Sequence, residues 1–96
     1  MTKKASLDCA YRFAPDIAWR RIGDESVVLN LKSSAYYSLN ETAAVLWETL
    51  GEGRTPLQAV ERLCAEFDED ADAVSRDVEA AVAELLSERL IQRSDA

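Results

Sequence analysis

The chain has 96 residues, a hydrophobic fraction of 48% and a formal net charge of −7, which together indicate one globular domain with a single core. It contains no histidine, so the commonest metal ligand and the commonest general base are absent. No apolar run approaches the roughly 20 residues of a membrane span, and no secretory signal is recognisable. We therefore expect one cytoplasmic domain over 1–96, with flexible ends at 1–10 and 92–96.

Extended segments in the first 40 residues predict a small antiparallel sheet. The patterns at 17–22, 26–31 and 35–39 each favour a strand, and short polar turns separate them. Because connections this short favour hairpins, the three strands are expected to form a meander. A further short extended segment is expected at 11–13, ended by Pro15.

The remainder of the chain predicts three helices. Asn40 is placed to cap a helix over 41–50, which two glycines then end. The segment 55–58 has the pattern of a capping box and opens a second helix. A third helix is expected to start near 70–72 and to run to about Glu88. Three strands followed by three helices predict an α+β domain of the winged helix-turn-helix type.

Neither catalysis nor nucleic-acid binding fits the residues that this chain offers. Without histidine, the candidate catalytic groups are carboxylates, cysteines and tyrosines, and the carboxylates fall mainly on outward faces of the predicted helices. Gly51 and Gly53 end a helix rather than begin one, so no phosphate-binding loop is predicted. The segment 70–91 carries six acidic residues and two arginines, a balance that repels a phosphate backbone. We therefore predict no enzymatic activity, no metal or cofactor site and no nucleic-acid partner.

The third predicted strand, 35–39, has an edge that its sequence leaves unprotected. Strand edges are normally blunted by lysine, proline or a bulge, and AYYSL contains neither lysine nor proline. An extended peptide can add to such an edge by backbone pairing, with Tyr36 and Tyr37 supplying contact surface. Packing of Tyr37 and Leu39 in the core explains the same pattern, and one strand can do both. The alternative hypothesis is an assembly subunit that uses this edge to form a homodimer or to dock an enzyme.

The order and spacing of several short motifs resemble a known family. A hydrophobic strand leads through a Tyr-x-Leu-Asn step into a helix that carries a tryptophan, and a Gly-x-x-Thr step opens the next helix. A long third helix then precedes a final apolar pair. Over roughly 17–91 the chain resembles the pyrroloquinoline quinone biosynthesis protein D (PqqD) family, also called the RiPP precursor peptide recognition element. The motifs lie at 37–40, Trp47, 53–56, 74–86 and 90–91.

This resemblance implies that the leader of a ribosomally made precursor peptide binds as an added strand, in a groove against the third helix. The protein would then be a non-catalytic peptide chaperone that presents the peptide to a modifying enzyme, such as a radical SAM protein, or to a leader peptidase. The double-tyrosine step with Trp47 is similar to discrete proteins of split lasso-peptide pathways. The peptide-binding residues that the resemblance implies are Ala35, Tyr36, Tyr37, Ser38, Leu39, Val74, Asp77, Val78 and Ala81.

Overall fold

The fold combines a three-stranded antiparallel sheet, three helices and a second sheet of two strands. The computed structural model describes residues 7–94. Its elements are β1 (Tyr11–Phe13), β2 (Ile17–Ile22), β3 (Glu25–Asn30), β4 (Tyr36–Leu39), α1 (Glu41–Gly51), α2 (Pro56–Phe67), α3 (Ala71–Ser87) and β5 (Ile91–Arg93). The larger sheet has the order β2-β3-β4, and β1 pairs with β5. The predicted α+β class, with a three-stranded meander followed by three helices, is confirmed.

The two-stranded sheet joins the beginning and the end of the described chain. Antiparallel pairing of β1 with β5 places Tyr11 opposite Arg93 and Phe13 opposite Ile91. Tyr11 and Ile91 are both buried. The residues that follow Ile91, Gln92 and Arg93, pair with Arg12 and Tyr11 in the same sheet. Of the end expected to be flexible, 92–96, residues Gln92 and Arg93 lie in β5.

Part of the N-terminal segment expected to be flexible, 1–10, packs on the domain. The carbonyl of Leu7 accepts a hydrogen bond from the N–H of Leu57 at 2.8 Å, and Leu7 contacts the core. These contacts bring the chain before β1 against the start of α2. Residues 1–6 and 95–96 lie outside the described part of the chain.

Each helix begins at a capping side chain, and for α1 and α2 the sequence predicts which residue it is. Asn40 accepts a hydrogen bond from the N–H of Ala43 at 2.9 Å at the start of α1. Thr55 accepts from the N–H of Gln58 at 3.3 Å, and Gln58 accepts from the N–H of Thr55 at 2.8 Å, which completes a capping box. Asp70 caps α3 in the same way. The predicted helix starts are thus confirmed, and β4 passes into α1 through Asn40 alone.

The core lies between the inner face of the larger sheet and the helices. Val28 on β3 and Trp47 on α1 are fully buried. The ring of Phe13 stacks on Trp47 with centroids 4.0 Å apart, and Trp19 meets Trp47 edge-on at 6.3 Å. None of the helices between residues 7 and 94 is both long enough and apolar enough to cross a membrane. The buried row that α3 contributes to the core is Val74, Val78, Val82 and Leu85.

The close approach of Gly51 to Phe13 generates a stability prediction. Replacing a helical glycine by alanine normally stabilises a helix by about 0.5–1 kcal/mol. A Cβ atom at Gly51 would lie 2.8 Å from Cζ of Phe13, whose ring is held against Trp47. We expect Gly51→Ala to lower the free energy of unfolding by about 1–2 kcal/mol, measured by urea denaturation.

The matched control places the same substitution beside a smaller side chain. In a Phe13→Leu background, Gly51→Ala should cost much less, because the ring that causes the clash is absent. An equal cost in both backgrounds would show that the loss does not come from the contact with Phe13.

Candidate functional site

The hydrogen-bond phase of the β3–β4 ladder identifies which backbone groups of β4 face outward. The N–H of Asn30 donates to the carbonyl of Ala35 at 2.8 Å, and these two residues continue the β3–β4 register by one position beyond the pair of Leu29 and Tyr36. Hydrogen-bonded and non-bonded pairs alternate along an antiparallel ladder. Val28 and Tyr37, two residues further along, therefore form the next bonded pair.

Tyr36 and Ser38 are the β4 residues that direct their backbone N–H and carbonyl groups away from β3. Their side chains lie on the outer face of the sheet, where Tyr36 is 72% exposed and Ser38 is exposed. Within residues 7–94 no strand pairs with this edge. Another strand can therefore form hydrogen bonds with the backbone groups of Tyr36 and Ser38. This pairing would leave every hydrogen bond between β4 and β3 in place.

The two edges of the larger sheet differ in how they are protected. The β2 edge carries Arg20 and Arg21, and charged side chains discourage pairing at a strand edge. The four residues of β4 include no charged side chain and no proline. The residue composition therefore makes β4 the more receptive of the two edges.

A groove of about 490 Å³ lies between β4 and the C-terminal half of α3. Its apolar lining includes Leu39, Leu85 and Leu90, which are almost completely buried. Its polar lining includes the exposed carboxylates of Glu84 and Glu88. The open strand edge therefore borders a concave surface with an apolar part and an acidic part.

A second depression, of about 380 Å³, shares residues with the groove near the start of α1. Asn40, Ala43, Ala81 and Glu84 line both, and Asp77 lines only the depression. The shared residues show that the two hollows adjoin each other along α3. We call the combined surface the β4–α3 groove.

One hydrogen bond crosses this groove. The Tyr37 hydroxyl donates to Oε1 of Glu88 at 3.1 Å, which links β4 to the last turns of α3. The bond to the Glu88 carboxylate raises the pKa of Tyr37, and desolvation adds to the shift. The groove therefore has a polar contact that a bound molecule can retain or replace.

The structure brings together most of the residues that the sequence assigns to peptide binding. Tyr36, Tyr37, Ser38 and Leu39 line the groove with Ala81. Their role as binding residues stays a prediction.

Of the other assigned residues, only Asp77 lines the β4–α3 groove. Val74 and Val78 belong to the buried row of α3, and they are absent from the lining of the groove. Ala35 precedes β4 and bonds to Asn30, while Asp77 reaches the groove at its second depression.

The groove face of α3 extends further toward the C-terminus than the sequence analysis placed it. Glu84, Leu85 and Glu88 line the groove and were not among the assigned residues. Asp77, Ala81, Glu84 and Glu88 repeat at helical spacing, directly beside the buried row. This spacing is the signal that would have identified them.

Fold and groove together define the class: an α+β domain of winged-helix type whose open strand edge faces a helix. The model of the family described as coenzyme PQQ synthesis protein D (PqqD) matches residues 25–91, which is more than half of the chain. The protein belongs to the PqqD family, as its motifs predict. Among curated proteins, no sequence match to this chain is found.

Two solved structures are similar to this chain along most of its length. One is TbiB1 in complex with the TbiA(beta) leader peptide, with a TM-score of 0.79 and 27% identity over 88% of this chain and 99% of that chain. The other is lasso peptide synthetase B1 complexed with the leader peptide, with a TM-score of 0.77 and 27% identity over 85% of this chain and 96% of that one. Both similar proteins thus bind a leader peptide.

The contact between Tyr37 and Glu88 can be tested by titration. In the native protein the Tyr37 hydroxyl should titrate above the ordinary tyrosine value of about 10, because its proton is held by Glu88. Since the folded pKa is raised, the stabilising contribution is present below about pH 10 and is lost as the pH rises through the raised value. Glu88→Ala should move the pKa back toward the ordinary value. NMR of ring-labelled tyrosine measures both.

Glu84→Ala is the matched control, because Glu84 lines the same groove without a hydrogen bond to Tyr37. In the Glu84→Ala variant, the pKa of Tyr37 should stay close to its value in the native protein. An ordinary pKa for Tyr37 in the native protein would contradict the contact.

Proposed function

We propose that this protein recognises the leader segment of a ribosomally synthesised precursor peptide and binds it as an added strand along β4. The observation that carries the proposal is the open edge of β4 beside the groove against α3. The protein would act as a non-catalytic chaperone that presents the bound peptide to a modifying enzyme or to a leader peptidase. Membership of the PqqD family and the leader peptides bound by both similar proteins support this proposal.

Backbone pairing would supply the common part of recognition. Tyr36 and Ser38 offer their outward N–H and carbonyl groups to an incoming strand, and such pairing is independent of the peptide's side chains. Because side chains of a strand alternate between faces, every second residue of the peptide would point into the β4–α3 groove. The others would lie beside Tyr36 and Ser38 on the outer face.

Side chains in the groove would supply most of the affinity. Burying one apolar side chain of the peptide contributes up to about 1.5–3 kcal/mol, and the exposed atoms of Leu39, Leu85 and Leu90 form part of the groove floor against which it would lie. Two buried apolar side chains, together with the backbone hydrogen bonds of strand pairing, would offset the entropy that the peptide loses on binding. We therefore expect dissociation constants on the order of micromolar or tighter.

Ser38→Pro tests strand addition directly. Proline removes the outward N–H of Ser38, and proline is tolerated at a strand edge where that group faces away from the sheet. The pairing between β3 and β4 is retained, so we expect a folded variant whose affinity for the peptide falls at least about tenfold. The probe is the synthetic leader of a precursor peptide encoded beside the gene, titrated into labelled protein and followed by NMR.

Ser38→Ala is the control, because it removes the hydroxyl and retains the N–H, and it should bind like the native protein. Tyr37→Pro is less suitable, since Tyr37 bonds to β3. Full affinity in folded Ser38→Pro would contradict strand addition on β4. Absence of any leader binding, together with concentration-dependent self-association, would favour the assembly-subunit hypothesis.

Presentation to an enzyme makes a separate prediction. Processing of the full precursor by the enzyme encoded beside the gene should be faster with the native protein than without it, and Ser38→Pro should remove most of the acceleration. Mass spectrometry of the precursor measures this. Incubation with this protein alone should leave the precursor mass unchanged, and any conversion there would contradict a non-catalytic role.

A further inference from the structure

The β4–α3 groove has an acidic wall that no basic residue of its own lining neutralises. Asp77 and Glu84 lie on one face of α3, because their spacing follows the helical repeat, and Glu88 at the C-cap continues this row. No lysine or arginine is found among the described residues that line the groove. None of the three carboxylates takes part in an ion pair within residues 7–94. The negative charge of this wall therefore faces the space that a peptide would occupy.

The surface between these carboxylates is built from alanine. Ala43 on α1 and Ala80 and Ala81 on α3 line the second depression together with Asp77 and Glu84. Side chains this small leave room for a long aliphatic stem to lie against them while its charged head reaches a carboxylate. Lysine and arginine are the side chains that combine such a stem with a positive head.

The N-terminus of α1 borders the same depression and acts against a bound cation. Its partial charge corresponds to about half of a positive unit charge. Glu41 in the first turn offsets part of it, and Asn40 already caps the N–H of Ala43. The two carboxylates of the depression, Asp77 and Glu84, exceed what remains, so the local potential favours a cation.

We propose that the groove selects leader peptides that place an arginine or lysine beside the strand-forming segment, at the end of β4 nearest Asn40. The stem of this side chain lies over Ala43 and Ala81, and its head pairs with Asp77 and Glu84. An apolar side chain of the same peptide occupies the other part of the groove, over Leu85. The inference rests on the proposed function and adds the chemistry of the peptide that the site accepts.

The experiment uses a phage-displayed library of random peptides selected on the folded native protein. Peptides that bind the groove should be enriched both in an apolar residue and in arginine or lysine at a constant separation. A synthetic copy of the most enriched peptide is then titrated into the double variant Asp77→Asn/Glu84→Gln. Its affinity should fall roughly three- to tenfold at low salt, and the loss should shrink at high salt.

Two matched variants separate local pairing from the overall charge of the protein. Glu61→Gln/Glu79→Gln removes the same amount of charge outside the groove and should change the affinity by less than about twofold. Glu84→Lys should bind the selected peptide poorly, and it should recover affinity for a copy whose basic residue is replaced by glutamate. Recovery of this kind requires that the two side chains meet.

Two further outcomes distinguish failure of the charge selection from failure of strand addition. Selected peptides that shift the NMR signals of Tyr36 and Ser38, yet lack a basic residue or bind the double variant equally well, overturn the charge selection and leave leader recognition intact. If no selected peptide shifts these signals, strand addition on β4 is overturned, and the charge selection falls with it.

Discussion

The capped joint at Asn40 is the constraint on which the site depends. One residue connects β4 to α1, and its side chain holds the first turn of the helix through the N–H of Ala43. Because α1 then places Trp47 beneath the sheet, the direction of β4 is set by the packing of the core. α3 packs on the same core through its buried row, so strand edge and helix are held a fixed distance apart. The groove is the space that this arrangement leaves open.

The alternation of a strand explains how β4 can belong to the core and still be open to a partner. Leu39 is buried and Tyr37 is half-buried on the inner face, and both bond to β3. Tyr36 and Ser38 are exposed, and their backbone groups point away from the sheet. The two explanations of this sequence pattern, packing in the core and binding of a peptide, therefore concern different residues of the same strand. Substitutions at the two sets have different consequences, since only the first set supports the fold.

The parts of the fold that local chemistry determines could be predicted from the sequence. Asn40, Thr55 and Asp70 mark helix starts because a cap needs only its own neighbouring residues. Pairing of β1 with β5 could not be foreseen, since it joins segments about 80 residues apart and β5 has only three residues. Two of the α3 residues that the resemblance implies for peptide binding, Val74 and Val78, lie in the buried row instead of the groove lining for a similar reason. Val78 and Asp77 are adjacent in sequence, and only the packing of α3 shows which of them faces the core.

The acidic wall would also oppose pairing of the open β4 edge with the same edge of a second copy. Two copies joined through β4 would bring Glu84 and Glu88 of one copy toward those of the other, if the edges pair antiparallel about a two-fold axis. Like charges that approach in this way oppose association. A peptide that brings a positive side chain meets attraction at the same place. If β4 binds a peptide as proposed, the carboxylates would favour a basic strand over a second copy of the same edge, and this protection would leave the edge accessible.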